Sequence, residues 1–230
     1  MITKNKQKGF ALVLALVLLL AMSLMGGALI VIASSDHQGN NSSDEYQQTF
    51  YVAETALLQG QKSLINKMIG PINTTDGTRD IEGRYIPRNG DSDNDGVDND
   101  PAPEQTPCFR SFRNLSRESD FRVVEHVKNQ SFFDLIQPVF DASSFPRQAG
   151  VDTAAEIEKE REKLGRYTYE FFSVNSGVAE YKGAGMSINK TSANTQRMGT
   201  AYKIYGCGML GNAINPVILI PLETIIILSH

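Results

Sequence analysis

From Phe10 to Ser35 the chain runs for twenty-six residues without a charge, dense in Leu, Val, Ala and Met. A helix needs about 20 apolar residues to cross the ~30 Å hydrocarbon core of a bilayer, so this run reads as a membrane span. Lys4, Lys6 and Lys8 precede it, the first nine residues hold no acid, and Asp36 follows. That asymmetry predicts a cytoplasmic amino terminus, with everything downstream outside the cytoplasm.

Three kinds of segment begin this way. A secretory signal peptide has a basic start, a core of about 7–15 apolar residues and a small-residue cleavage site, which Val31-Ile32-Ala33 could imitate, but the run here is too long. A plain signal anchor is the second. The third takes in the junction Lys6-Gln7-Lys8-Gly9-Phe10-Ala11-Leu12-Val13, a short basic leader and one glycine before an aromatic residue opens the apolar run. This junction resembles the class III signal of type IV prepilins. The resemblance implies that prepilin peptidase removes residues 1–9 by cutting between Gly9 and Phe10 at the inner membrane, and that the new amino terminus at Phe10 is methylated. A glycine suits an extended leader threading an active site at the membrane face, because it has no side chain to clash. Most pilins carry glutamate at the fifth mature position, where this chain has Leu14. Minor pilins of the PilX family and K-type pseudopilins of type II secretion share that absence, and both are assigned to filament tips.

Beyond the span, Tyr46, Phe50, Ala53, Leu57, Leu64 and Met68 recur mostly at three- or four-residue intervals, an apolar stripe that extends the helix through 36–70. Gly70-Pro71 ends it. Within it, Phe50-Tyr51-Val52-Ala53-Glu54-Thr55-Ala56-Leu57 resembles a helix segment of PilX-family proteins. Gly165-Arg166-Tyr167-Thr168-Tyr169-Glu170 and Ala201-Tyr202-Lys203-Ile204-Tyr205-Gly206 are similar to two successive strands of that family, and Val217 to Leu228 to its last strand region. The resemblance covers about half the chain. It implies a minor pilin that primes pilus assembly and sits at the tip with other minor pilins and the major pilin, supporting a tip adhesin. The K-type pseudopilin is the rival reading, with a large helical insert for which this chain has little room.

The residues also speak for themselves in the carboxyl-terminal part, 166–230. Tyr167, Tyr169 and Phe171 alternate with Thr168, Glu170 and Phe172 as in a half-buried strand. Met198 to Tyr205 is a second strand candidate, and Val217–Ile220 and Ile225–Leu228 are apolar runs of strand length on either side of Pro221. The expected fold is α+β and pilin-like, a long helix on an antiparallel sheet. Residues 71–165 are an insertion relative to a minimal pilin. They are rich in loop-forming residues up to about 120, could form a strand or a helix over Phe121–Val127, and predict a short solvated helix over Ala154–Leu164.

One constellation in this insertion carries chemistry. Asp91-Ser92-Asp93-Asn94-Asp95-Gly96-Val97-Asp98-Asn99-Asp100 places carboxylates at alternate positions before a glycine, which lets a loop curl around a hard cation. Calcium is the expected ion, with Asp91, Asp93 and Asp95 as side-chain ligands and Val97 through its backbone carbonyl. The segment resembles the start of an EF-hand loop but has Ala102 at the twelfth position, so Asp98, Asp100 or Glu104 completes the shell. A solvated acidic turn is the alternative, although five aspartates in ten residues repel one another without a cation.

Cys108 and Cys207 are the only cysteines. Outside the cytoplasm such a pair is most economically one disulfide, against two unpaired buried thiols. Neither has zinc-ligand spacing, and His37, His126 and His230 stand alone. No hydrolase elbow, phosphate loop, zinc-protease motif or dinucleotide fingerprint occurs, so the sequence does not read as an enzyme, and a membrane-anchored periplasmic calcium-binding protein or enzyme is the alternative of another class. Setting the three leader lysines aside leaves 19 basic against 26 acidic side chains, a charge of −7. An acidic surface of this kind gives no footprint for nucleic acid and suits cations or basic partners.

Overall fold

Helix formers without an internal proline carry the first element unbroken from the span into the amphipathic stretch. The computed structural model describes residues 7–73, 75–91, 94–98, 100–115, 120–141, 153–181 and 197–229. Helix α1 is Gln7–Ile69. Gly70 then turns left-handed at φ 97°, and the Arg79 guanidinium donates to the Gly70 carbonyl at 2.8 Å and to Asn66 Oδ1 at 3.2 Å. A cation on the last carbonyls satisfies groups that the helix itself cannot.

The chain divides into two units, 1–47 and 48–230. In the first, every described side chain from Val13 to Ile32 is exposed, Leu19 at 67% and Ile30 at 72%. This is the one helix among the described residues long and apolar enough to cross a membrane. Its polar exception is satisfied internally, since the Ser23 hydroxyl donates to the Leu19 carbonyl at 2.8 Å.

The second unit is α+β. Strands β1 (Glu125–Ser131), β2 (Tyr167–Tyr181), β3 (Arg197–Gly211) and β4 (Pro216–Ser229) form one antiparallel sheet in the order β1-β2-β3-β4. Of Phe121–Val127 only the last three residues, 125–127, enter a strand, which makes part of the insertion an edge of the sheet. Pro221 does not divide the last apolar run. It faces Cys207 within β4, an edge strand where a missing N–H need not break the ladder.

The face that α1 buries keeps Ala53, Leu57, Leu64 and Met68 of the expected stripe and departs from it at Tyr46 and Phe50. Thr49, Val52, Ala53, Ala56 and Leu64 are buried, whereas Tyr46 is 56% and Phe50 36% exposed. Small residues set this choice. A Cβ added to Gly208 of β3 would lie 2.1 Å from the Thr49 carbonyl oxygen and 2.7 Å from the Ala53 nitrogen, and one added to Gly60 would lie 2.6 Å from Ile204 Cγ2. The backbones touch there, so opposite Gly208 the helix presents Thr49 and Ala53 rather than Phe50, while Leu57 and Leu64 pack farther along.

The other face of the sheet is covered too, and the half-buried reading of β2 does not hold. Phe172 is fully buried and Glu170 is 2% exposed, although both lie opposite the face that carries Tyr167, Tyr169 and Phe171. The cover is the insertion. Helix α2 (Pro107–Ser111) begins on Thr106, whose hydroxyl accepts from the Phe109 N–H at 3.1 Å, with proline at its first position. Phe109, Phe112 and Phe121 pack onto Phe172 and Tyr205, with Phe109 to Phe172 ring centroids 5.2 Å apart. Beyond β1 lie α3 (Phe132–Asp141), not expected from the sequence, and α4 (Thr153–Leu164), which matches the solvated helix expected over Ala154–Leu164.

Candidate functional site

Each sequence-predicted site occupies a different part of the chain. Gly9 and Phe10 stand in the first turn of α1, two and three residues after Gln7. Cys108 and Cys207 are joined, with Cα atoms 5.8 Å apart across 99 residues, and both are fully buried. The bridge fastens α2 to β3, and closing so long a loop limits the unfolded chain by an amount worth up to about 4.7 kcal/mol.

The aspartate loop is attached to the sheet just ahead of its first acid. Asn89 and Asn175, at the irregularity of β2, exchange two bonds: Asn89 Nδ2 donates to the Asn175 carbonyl at 3.0 Å, and the Asn175 N–H donates to Asn89 Oδ1 at 2.8 Å. Asn175 Nδ2 and the buried Tyr202 hydroxyl both donate to the Pro87 carbonyl, at 3.0 and 3.1 Å. Gly90 donates to the Val123 carbonyl at 2.9 Å, and its own carbonyl accepts from the Asp100 N–H at 3.0 Å, closing the loop at its neck. Asn94 and Gly96 take φ of 62° and 84°, which turns the chain back on itself.

The predicted ligands are not gathered equally. Asp91 is 5% exposed, and its Oδ2 accepts from the Gly96 N–H at 3.2 Å. Asp95 and Asp98 are exposed, the first accepting from the Val97 N–H at 2.7 Å, while Val97 itself is 53% exposed. Asp93 lies outside the described residues. Among those described, no group of three or more His, Cys, Asp or Glu side chains stands close enough to form a ready metal cage.

A polar cluster that sequence reasoning missed lies under the insertion. Glu170 projects from β2 into the covered face, where His126 Nε2 meets its Oε1 at 2.8 Å and the Thr106 hydroxyl donates to the same oxygen. The carboxylate thus joins β1, β2 and the cap of α2. Nearby, a cleft of about 390 Å³ opens between residues 100–104 and β1, with Asp100, Glu104, Glu125 and Lys128 on its walls. Lys128 bonds to Glu104 and, by that bond first and its charge second, holds the carboxyl below the usual glutamate range. The available signal was Phe171-Phe172: two adjacent aromatics in one strand need cover on both faces, so the polar residue beside them is enclosed as well.

Compared with known proteins, the chain matches no family model, no curated sequence and no solved structure.

Proposed function

We propose that the chain is a minor pilin of a type IV pilus, made as a prepilin and acting through assembly. The observation that carries this reading is α1. A basic leader with Gly9-Phe10 runs into a charge-free helix whose side chains from Val13 to Ile32 are all exposed, and the same helix ends packed on an antiparallel sheet. An apolar surface of that length has two uses: it is soluble in the inner membrane before assembly, and it can trade lipid contacts for neighbouring pilin helices afterwards. Leu14 in place of an acid supports a position at the tip, where no further amino terminus needs neutralising. The α+β head, outside the cytoplasm, then faces the other minor pilins, the major pilin and a tip adhesin.

The size of the insertion favours a pilus over a type II secretion pseudopilus. Among the described residues of 71–165, the helices have 5, 10 and 12 residues, too little for the large helical insert of a K-type pseudopilin.

Processing tests the reading. Mass spectrometry of the chain purified from cells with prepilin peptidase is expected to give an amino terminus at Phe10, and Gly9→Val is expected to leave a full-length precursor in the membrane. A native amino terminus near Ser34, or an intact leader in wild type, overturns the assignment.

A further inference from the structure

We infer that the loop from Gly90 to Asp100 is a calcium site anchored by Asp91, an inference that goes beyond the assembly role and stands independently of it. Two acidic side chains are buried among the described residues, Asp91 and Glu170. Glu170 is met by His126 and Thr106. Asp91 is not met in this way. Its Oδ2 has one long bond from the Gly96 N–H, and its Oδ1 is sealed from solvent with no partner among the described residues. A buried carboxylate oxygen left like this loses its hydration and receives nothing in exchange. The bond to Gly96 sets the carboxylate across the loop, so the orphaned oxygen sits on a group that the loop itself encloses. A cation at that oxygen supplies the missing partner.

The donor chemistry selects the ion. The described donors of the loop are the carboxylates of Asp91, Asp95, Asp98 and Asp100 and the Asn94 amide oxygen, with the Val97 carbonyl in the same loop. These are hard oxygen donors without sulfur or imidazole, which disfavours zinc and copper. Magnesium requires a near-octahedral shell at short distance, whereas calcium accepts six to eight oxygens in variable geometry. Variable geometry is what the loop offers. Asp91 follows a segment fastened to the sheet through Asn89 and Pro87 and to Val123 through Gly90. Asp98 stands beside that anchor, since a Cβ added to Gly90 would lie 1.7 Å from its Oδ1. Asp95 and Asp98 are exposed at the rim of the loop. A buried ligand with exposed companions fits a weak extracellular module, with a dissociation constant of about 10⁻⁴–10⁻³ M.

The full chain in detergent, stripped with EGTA, is titrated with calcium or magnesium chloride by calorimetry, with parallel melting curves by circular dichroism. Wild type is expected to bind one calcium in that range, magnesium at least about tenfold more weakly, and to melt higher in calcium than in EGTA. Asp91→Asn keeps the shape and removes the charge. It is expected to melt at or above wild type in EGTA and to lose the calcium-dependent rise, with affinity down at least about tenfold. If Asp91→Asn does not fold, the paired exposed change Asp95→Asn with Asp98→Asn serves instead: an unchanged EGTA melt with weakened calcium binding supports the site. Absence of calcium binding by wild type up to about 10 mM overturns the inference. So does an Asp91→Asn variant destabilised equally in calcium and EGTA, or a paired variant that binds calcium as wild type does.

Discussion

Tyr202 is fully buried in β3, and burial, only partly offset by a bond with Thr200, pushes its phenol up to about 12 from the ordinary value of 10. The folded protein holds the neutral form, whose hydroxyl donates to Pro87. The unfolded chain ionises first as pH rises, so the stability tied to this group is complete below pH 10 and is lost between 10 and about 12. Tyr202→Phe is expected to cost about 1 kcal/mol at neutral pH through the lost bond and to make the alkaline fall in urea midpoints shallower. Wild-type and variant midpoints that stay parallel from pH 7 to pH 11 contradict this. Tyr169 and Tyr205 are also raised by burial, so the fall is reduced and not abolished. At this scale the sequence is least informative. Glu170 sits at an alternating position that reads as solvent-facing, and only the layer laid over it by residues such as His126 and Thr106, 44 and 64 positions away, reverses that reading.

Between helix and sheet, the contact is made by removing side chains rather than by adding them. Gly208→Ala places a Cβ where the Thr49 carbonyl already lies, at 2.1 Å, and a backbone atom cannot rotate aside. The expected loss is about 1–3 kcal/mol, the range of an overpacked core, read as a lower denaturation midpoint. An unchanged midpoint would mean that α1 does not press on β3 there. The same contact explains what was legible in advance. Long periodic elements declared themselves: α1, β2, β3 and the last apolar run. The face that α1 buries declared itself only in part: Ala53, Leu57, Leu64 and Met68 were read correctly, whereas Thr49, Val52 and Ala56 replace Tyr46 and Phe50 at its start because small residues win there by size. Strand β1 was undecidable because seven residues with Lys128 and Asn129 in them carry too little pattern, and its place comes from pairing with β2. In the candidate calcium loop, the alternating acids and glycine were readable, but the burial that distinguishes Asp91 comes from bonds to distant Asn175, Tyr202 and Val123.

For the whole molecule, the exposed helix of residues 13–32 and the two-faced sheet have separate requirements. The first asks for lipid or neighbouring helices. Under the tip reading, an acid introduced there has no amino terminus ahead of it to neutralise, and an unpaired charge in an apolar core is costly. Leu14→Glu is therefore expected to give no gain in pilus number, with the chain still labelled at the ends of isolated pili. Labelling along the shaft would contradict that placement. The sheet asks for its second cover, which the insertion provides, so the insertion is part of the core rather than an appendage. That cover and its fastening are made far apart in time. Synthesis delivers Cys108 and its phenylalanines well before Cys207 in β3, and the aromatic layer must wait for a partner that does not yet exist. The disulfide is thus a late lock, and a newly emerging chain holds an oily, unlatched flap that a chaperone or a premature neighbour can reach until β3 arrives.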